Sequence, residues 1–206
     1  MNAEERKKHI LHCAKRLFSR HGYYQTQIAD IIQEAKIARG TVYQYFKNKD
    51  DLFITLIDEF YKSWEKFISL PEGAINANSI SAVGYFRHRI QRTLLFFESD
   101  NEMCNIVLRM AIGIQSEFDS LIKKFERKII NFISDDLRLG QQFKNISEDL
   151  DVELAANVLA GALFRIAYQY FVVLKSRKEA HDIDRLTEKL IALLAPGLFL
   201  PQPENR

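Results

Sequence analysis

The 206-residue chain is poor in the residues that make tight turns. It has eight glycines and four prolines, at Pro71, Pro196, Pro201 and Pro203, and no proline interrupts residues 1–70 or 72–195. The many reverse turns of a β-sandwich or barrel have little to be built from, which argues against an all-β fold. Two cysteines, Cys13 and Cys104, are too few for a disulfide framework and fit a reducing compartment. The stretch that includes Glu4, Glu5 and Arg6 lacks the apolar core of a signal peptide. No GxGxxG, GxxxxGK[ST], HExxH or GxSxG run occurs, so no motif for cradling a nucleotide or for hydrolysis supports an enzyme, and no cofactor is expected. The expectation is a soluble cytoplasmic protein.

What is present is ordinary in amount and uneven in placement. Hydrophobic residues make up 47% and charged residues 27%, which excludes wholesale disorder. Residues 1–49 hold ten Lys and Arg against four Asp and Glu, a balance of +6, and the remainder holds nineteen against twenty-three, a balance of −4. A basic small segment on a mildly acidic body suggests a polyanionic partner, although a solvated helix surface has the same composition.

Helical periodicity runs through nearly the whole chain. Ile10, Leu11, Ala14, Leu17 and Phe18 form one stripe of a helix over 4–20. Thr26 is the expected N-cap of a short second helix carrying Ile28, Ile31, Ile32 and Ala35. A third short segment follows, and Asn48 is the expected cap of a long helix with Asp50 and Asp51 in its first turn. The stretch 70–78 is the clearest break, and beyond it helices are expected at about 79–99, 102–113, 116–139, 151–175 and 183–195. Leu154 to Leu174 is apolar enough to raise the question of a membrane span. Asn157, Arg165 and Gln169 make a polar stripe on it, however, so a bundle or subunit-interface helix is the simpler reading and no membrane contact is expected.

Residues 26–46 carry the most specific signal. Two short helices joined by Lys36-Ile37-Ala38 make a helix-turn-helix. On the second, Val42 and Phe46 are i, i+4 and belong to the core, which turns Gly40 and Gln44 outward with Thr41 and Tyr43 beside them. Hydrogen-bonding groups, aromatic edges and a glycine are what a major-groove reader needs. Arg39, Gly40, Thr41, Tyr43, Gln44 and Tyr45 are the candidate contact face, Lys47 and Lys49 the candidate phosphate grips, and Thr26 and Gln27 a further grip at the preceding helix start. Aromatic-rich short helices can also be plain core.

The run Thr26, Ala29-Asp30-Ile31, Ala35, Ile37, Gly40-Thr41-Val42-Tyr43, Tyr45-Phe46, Lys49 and Leu52 resembles the tetracycline-repressor family of bacterial transcription regulators, as do Ala14, Leu17-Phe18 and Gly22-Tyr23 before it. That resemblance covers about the first quarter of the chain. It implies an all-α homodimer, with a helix-turn-helix DNA-binding domain at 1–48 and a helical effector-binding and dimerisation domain at 49–206. The implied function is a ligand-responsive, sequence-specific regulator, a repressor released from a near-palindromic operator by a small molecule. The alternative is an all-helical enzyme or interaction protein in which the helix-turn-helix is incidental. The sequence departs from the family pattern at Lys36, where glycine is usual, so either a strained positive φ or a slightly different turn is expected there.

The body is rich in aromatics, most of which belong to a core. Polar residues among them are candidates for an effector pocket: Arg89, Arg109, Asn157 and Arg165, with Trp64, Phe67, Phe86 and Phe125 as walls. Arginine anchors favour an acidic amphiphile as effector, though the same arginines can pair internally. For the dimer, Ala156, Ala160, Gly161, Phe164, Tyr168, Phe171, Leu190 and Leu194 are the candidate contacts. His9, His12 and Cys13 lie within one helical turn, too few ligands to close a metal site, and none is expected.

Overall fold

Polar caps start the helices and apolar stripes bind them. The structure, a computed structural model, describes residues 2–69, 81–112, 119–174 and 182–200. Nine α-helices run through these residues: α1 Ala3–His21, α2 Ile28–Ala35, α3 Arg39–Tyr43, α4 Lys49–Ile68, α5 Ala82–Ser99, α6 Asn101–Ile112, α7 Asp119–Gln142, α8 Val152–Tyr168 and α9 Ile183–Leu194. A π-helical turn, Gln169–Val173, prolongs α8, and a 3-10 turn, Ala195–Gly197, follows α9. Among the described residues there is no strand, only an isolated bridge between Ile146 and Phe199. The fold is all-α, as expected. The break at 70–78 and the side chain of Phe125 lie outside the described residues.

Side-chain oxygens of Asn2, Asn48, Ser81, Asp151 and Asp182 each accept a backbone N–H from the first turn of the helix they precede. Each such cap contributes about 1 kcal/mol. Thr26 is not one of them. Its side chain is buried and its hydroxyl donates to the Gly22 carbonyl at 2.8 Å, while Gln27 occupies the cap position of α2. Lys36 has φ 52° and ψ 45°, the left-handed conformation, which is the first of the two outcomes expected where glycine is usual. It lets the chain reverse between α2 and α3 at a cost of about 1–2 kcal/mol for an L-residue.

One core runs from Ile10 and Phe18 of α1 through Ile31, Val42 and Phe46 to Leu52, Phe60 and Trp64 of α4, and on to Leu94, Leu108 and Leu190 of the body. α1 also packs on α6, where the Lys15 ammonium donates to the Asp100 carboxylate at 2.8 Å and Asn105 donates to the Ser19 carbonyl at 3.3 Å. The N-terminal helices are thereby docked on the body through α4 and α6.

Helices α8 and α9 have two apolar faces. The inner face carries Ala156, Ala160, Phe171 and Leu190, all buried within the protomer, so these expected dimer contacts are core residues instead. The outer face carries Leu154, Val158 and Leu193, exposed by 62%, 55% and 74%, beside Gly161 and Arg165. By length and composition Val152–Val173 passes for a membrane span, but its inner face packs against α6 and α7.

Candidate functional site

Two sites stand at opposite ends of α4. At its N-terminal end, α2 and α3 form the helix-turn-helix. Val42 and Phe46 are buried, which fixes the rotation of α3 and turns Arg39, Gly40, Tyr43 and Gln44 into solvent with Thr41 half-buried. The Arg39 guanidinium lies 5.7 Å from the centre of the Tyr43 ring, so a cation and an aromatic edge share the outer face. A Cβ built on Gly40 meets no protein atom within 4 Å. Packing therefore does not require a glycine there, although helix propensity disfavours one. Lys47 and Gln27 are exposed at the rim.

Three of the expected contact residues are engaged inside the protein. Thr26 is buried as described. Tyr45 is half-buried and packs on the core beside Phe46. The Lys49 ammonium donates to the carbonyls of Tyr23 and Thr26, at 3.0 and 2.9 Å, and stands 4.0 Å from the centre of the Tyr23 ring. These residues hold the frame on which α2 and α3 sit. His9, the centre of the possible metal cluster, has its Nε2 3.1 Å from the Ala35 carbonyl and 3.9 Å from the Cys13 sulfur, which ties α1 to the end of α2.

At the other end of α4 the body encloses a cavity of about 440 Å³. This is within the range that holds a drug-sized ligand. Phe60, Trp64 and Ile68 of α4 form one wall, Phe86, Ile90 and Phe97 of α5 another, and Ile129, Phe132 and Ile133 of α7 a third, with Leu159 and Leu163 of α8 behind. Trp64 and Thr93 are locked by an Nε1–H to Oγ1 hydrogen bond of 3.3 Å. The bridge from Ile146 to Phe199 lies on one side, and there Gly140 packs so closely that a Cβ would stand 2.6 Å from Ile146 Cδ1 and force that side chain to shift.

Arg89 is the one cation among the described lining residues, and Asp136 the one anion. Nε of Arg89 donates to Asp136 Oδ2 at 3.1 Å, Nη2 donates to Oδ1 at 3.3 Å, and Nη1 donates to the Ile68 carbonyl at 2.9 Å. Tyr85 accepts from Arg89 and donates to Asp136 Oδ1 at 2.8 Å. The rings of Phe132 and Tyr85 lie 4.5 and 4.8 Å from the guanidinium carbon. Burial, helped by the neighbouring carboxylate, pushes the Tyr85 hydroxyl up to about 12, so it stays a donor. Burial also raises the Asp136 carboxyl above the ordinary range, with Arg89 opposing.

Of the expected pocket residues, the cavity is lined by Trp64, Phe86 and Arg89. Phe67 lies outside it, stacked 3.7 Å from the Arg92 guanidinium carbon. Arg109, Asn157 and Arg165 are corrections. All three are exposed and none lines the cavity; Asn157 donates to the Glu153 carbonyl of its own helix. An arginine flanked by apolar neighbours in sequence still turns about 100° away from them on a helix. Tyr85 and Asp136 were not among the expected site residues. The signal for Tyr85 was its i, i+4 spacing to Arg89, but Asp136 lies 47 residues from Arg89 and only the fold brings it there.

A family model described as bacterial regulatory proteins, tetR family, matches residues 10–56, the helix-turn-helix and its flanks. Over 189 residues the chain is 26% identical to the fatty acid metabolism regulator protein of Bacillus subtilis, covering 92% of this chain and 93% of that one. The structure of a TetR-family transcriptional regulator from Syntrophomonas wolfei superposes with a TM-score of 0.80 at 26% identity, over 98% of this chain and 100% of the other. The transcriptional regulator FadR from Bacillus subtilis, solved in complex with stearoyl-CoA, has the same fold, with a TM-score of 0.74 at 24% identity over 93% and 98% of the two chains. These relatives are regulators, not enzymes, and they match the body as well as the head: residues 10–56 carry the tetR-type DNA-binding segment, and the whole chain is similar in sequence and fold to ligand-responsive, DNA-binding transcriptional regulators.

Proposed function

We propose that the chain acts as a cytoplasmic homodimer whose two heads, residues 1–48, hold a near-palindromic operator and let go when a long acyl chain fills the cavity of the body, residues 49–206. Arg39, Gly40, Thr41, Tyr43 and Gln44 meet base edges, Lys47 and Gln27 meet phosphates, and Thr26, Tyr45 and Lys49 hold the reading helix in place. Two-fold symmetry sets the half-sites about 10 bp apart or a multiple of it.

The observation that carries the effector class is the cavity itself. Its walls are aromatic and aliphatic, and the one cation among the described lining residues, Arg89, is already neutralised by Asp136. Such a space suits a hydrocarbon chain, and with Asp136 already paired to Arg89 it holds no free counter-charge for a cationic drug among the described lining residues. Similarity to a fatty acid metabolism regulator and to a regulator that binds stearoyl-CoA supports the same class. The effector remains an acidic amphiphile, but its acidic head stays in water and Arg109 and Arg165 do not anchor it. Linkage supplies the mechanism: a ligand that binds more tightly to the released spacing of the heads weakens operator binding by the same factor. Fluorescence anisotropy of a labelled operator, selected from random DNA, tests this directly. Stearoyl-CoA should release it. Release by cationic aromatics, with acyl compounds inert, overturns the reading.

A further inference from the structure

The cavity has a direction. Leu139 and Phe143 line it and are exposed, whereas Phe60, Trp64, Ile90 and Phe97 line it and are buried. It therefore opens at the C-terminal end of α7 and runs inward toward α4. Along α5 the lining extends from Ala82 to Phe97, a rise of about 22 Å at 1.5 Å per residue. Arg89, with Tyr85 and Asp136 around it, stands about 12 Å from the Phe97 end by the same measure. A fully extended alkyl chain advances roughly 1.25 Å per carbon, from ordinary bond lengths and angles. On that estimate about eighteen carbons span the cavity and about ten reach from the deep end to Arg89.

We infer that Tyr85, Arg89 and Asp136 form a charge-neutral collar at mid-depth that rejects a carboxylate, so that Asp136 is the specificity-determining residue against medium-chain free acids. This rests on the acyl-chain reading above. Four of the five guanidinium N–H groups are engaged: Nε and Nη2 donate to Asp136, Nη2 also to the Tyr85 oxygen and Nη1 to the Ile68 carbonyl, with the Tyr85 and Phe132 rings beside the guanidinium carbon, so one Nη1–H is left. A ten-carbon acid with its tail at Phe97 would set its carboxylate beside an arginine already neutralised and a second carboxylate. Desolvation then has no Coulombic return. A neutral ester or thioester carbonyl is a weak acceptor that needs only the remaining Nη1–H and brings no charge to desolvate. An eighteen-carbon chain carries its head past the collar to the mouth, where charge is hydrated.

Calorimetric titration of the full-length protein with decanoate, methyl decanoate and stearoyl-CoA tests the collar. The wild type should bind methyl decanoate at least about tenfold more tightly than decanoate, equivalent to about 1.4 kcal/mol. Asp136→Asn leaves the Arg89 charge without its counter-charge, so decanoate should gain about tenfold while methyl decanoate does not. The double variant Arg89→Gln/Asp136→Asn should lose that gain. Equal binding of the acid and its ester by the wild type, no binding of the ester, or no gain for a folded Asp136→Asn overturns the inference. The wild-type ratio decides even where Asp136→Asn melts early. Failure of stearoyl-CoA alone strikes the acyl-chain reading and leaves the collar to be judged on the other two ligands.

Discussion

The Lys49 ammonium sits 4.0 Å from the centre of the Tyr23 ring and donates to the Tyr23 and Thr26 carbonyls. The first residue of the long helix α4 is thus fastened to the loop that launches α2, and a lysine placed like a phosphate grip works as a brace. Lys47, two residues earlier, is exposed. Replacing Lys47 by Ala should therefore flatten the dependence of log K on log salt by about one unit. Lys49→Ala should leave that slope unchanged and instead lower both melting temperature and operator affinity. Salt titrations of operator binding by the two variants check this, and a slope change confined to Lys49→Ala contradicts it.

A substitution at Gly40 should separate folding from DNA binding. Its absent side chain leaves space that the protein does not use, and Gly is up to about 1 kcal/mol worse than Ala in a helix. Gly40→Ala should melt at the same temperature or higher, yet bind operator at least about tenfold more weakly, a loss of about 1.4 kcal/mol. Calorimetric melting and anisotropy on one sample give both numbers. Unchanged affinity removes Gly40 from the interface.

The outer face of α8 and α9 is the proposed dimer contact. Leu193 is 74% exposed in the protomer, whereas Leu190 is 4% exposed. Leu193→Asp should fold normally and sediment as a monomer, because an unpaired charge is costly in an apolar interface. Leu190→Asp should fail to fold, since the same charge lands in the core. A dimeric Leu193→Asp at micromolar concentration shows that the contact lies elsewhere.

His88 should make the body sensitive to acid. Burial lowers its imidazole below the ordinary value of about 6.5, with the Arg92 and Arg89 charges acting the same way. Nε2 is buried and has no hydrogen-bond partner among the described residues. In that state the unfolded chain binds the proton more readily than the folded one, so stability falls as pH drops below about 6.5. His88→Phe should lose less melting temperature than the wild type between pH 7 and pH 5. Parallel losses in the two proteins contradict the assignment.

The head was readable because its constraints are local. Val42 and Phe46 fix the rotation of α3, Asn48 caps α4, and the departure of Lys36 from the family's usual glycine pointed to the positive φ that it adopts. Thr26 and Lys49 were misplaced because their partners, Gly22 and the loop carbonyls, are set by tertiary geometry. The cavity was less readable for the same reason. Its polar collar joins α5 to α7 across 47 residues, and Arg109 and Arg165 face outward although their sequence neighbours are apolar. Composition reveals an excess of aromatics, but only packing decides which of them enclose space.

The central claim is that filling this one cavity empties the operator. Leu163 lines it and is half-buried, and Leu163→Trp adds volume there without touching the head. The decisive measurement is anisotropy of labelled operator during stearoyl-CoA titration of the wild type and of Leu163→Trp. The account predicts equal operator affinity without ligand, release of the wild type, and a midpoint for Leu163→Trp raised at least about tenfold, or about 1.4 kcal/mol of lost ligand binding. Release of both proteins at the same stearoyl-CoA concentration would contradict it.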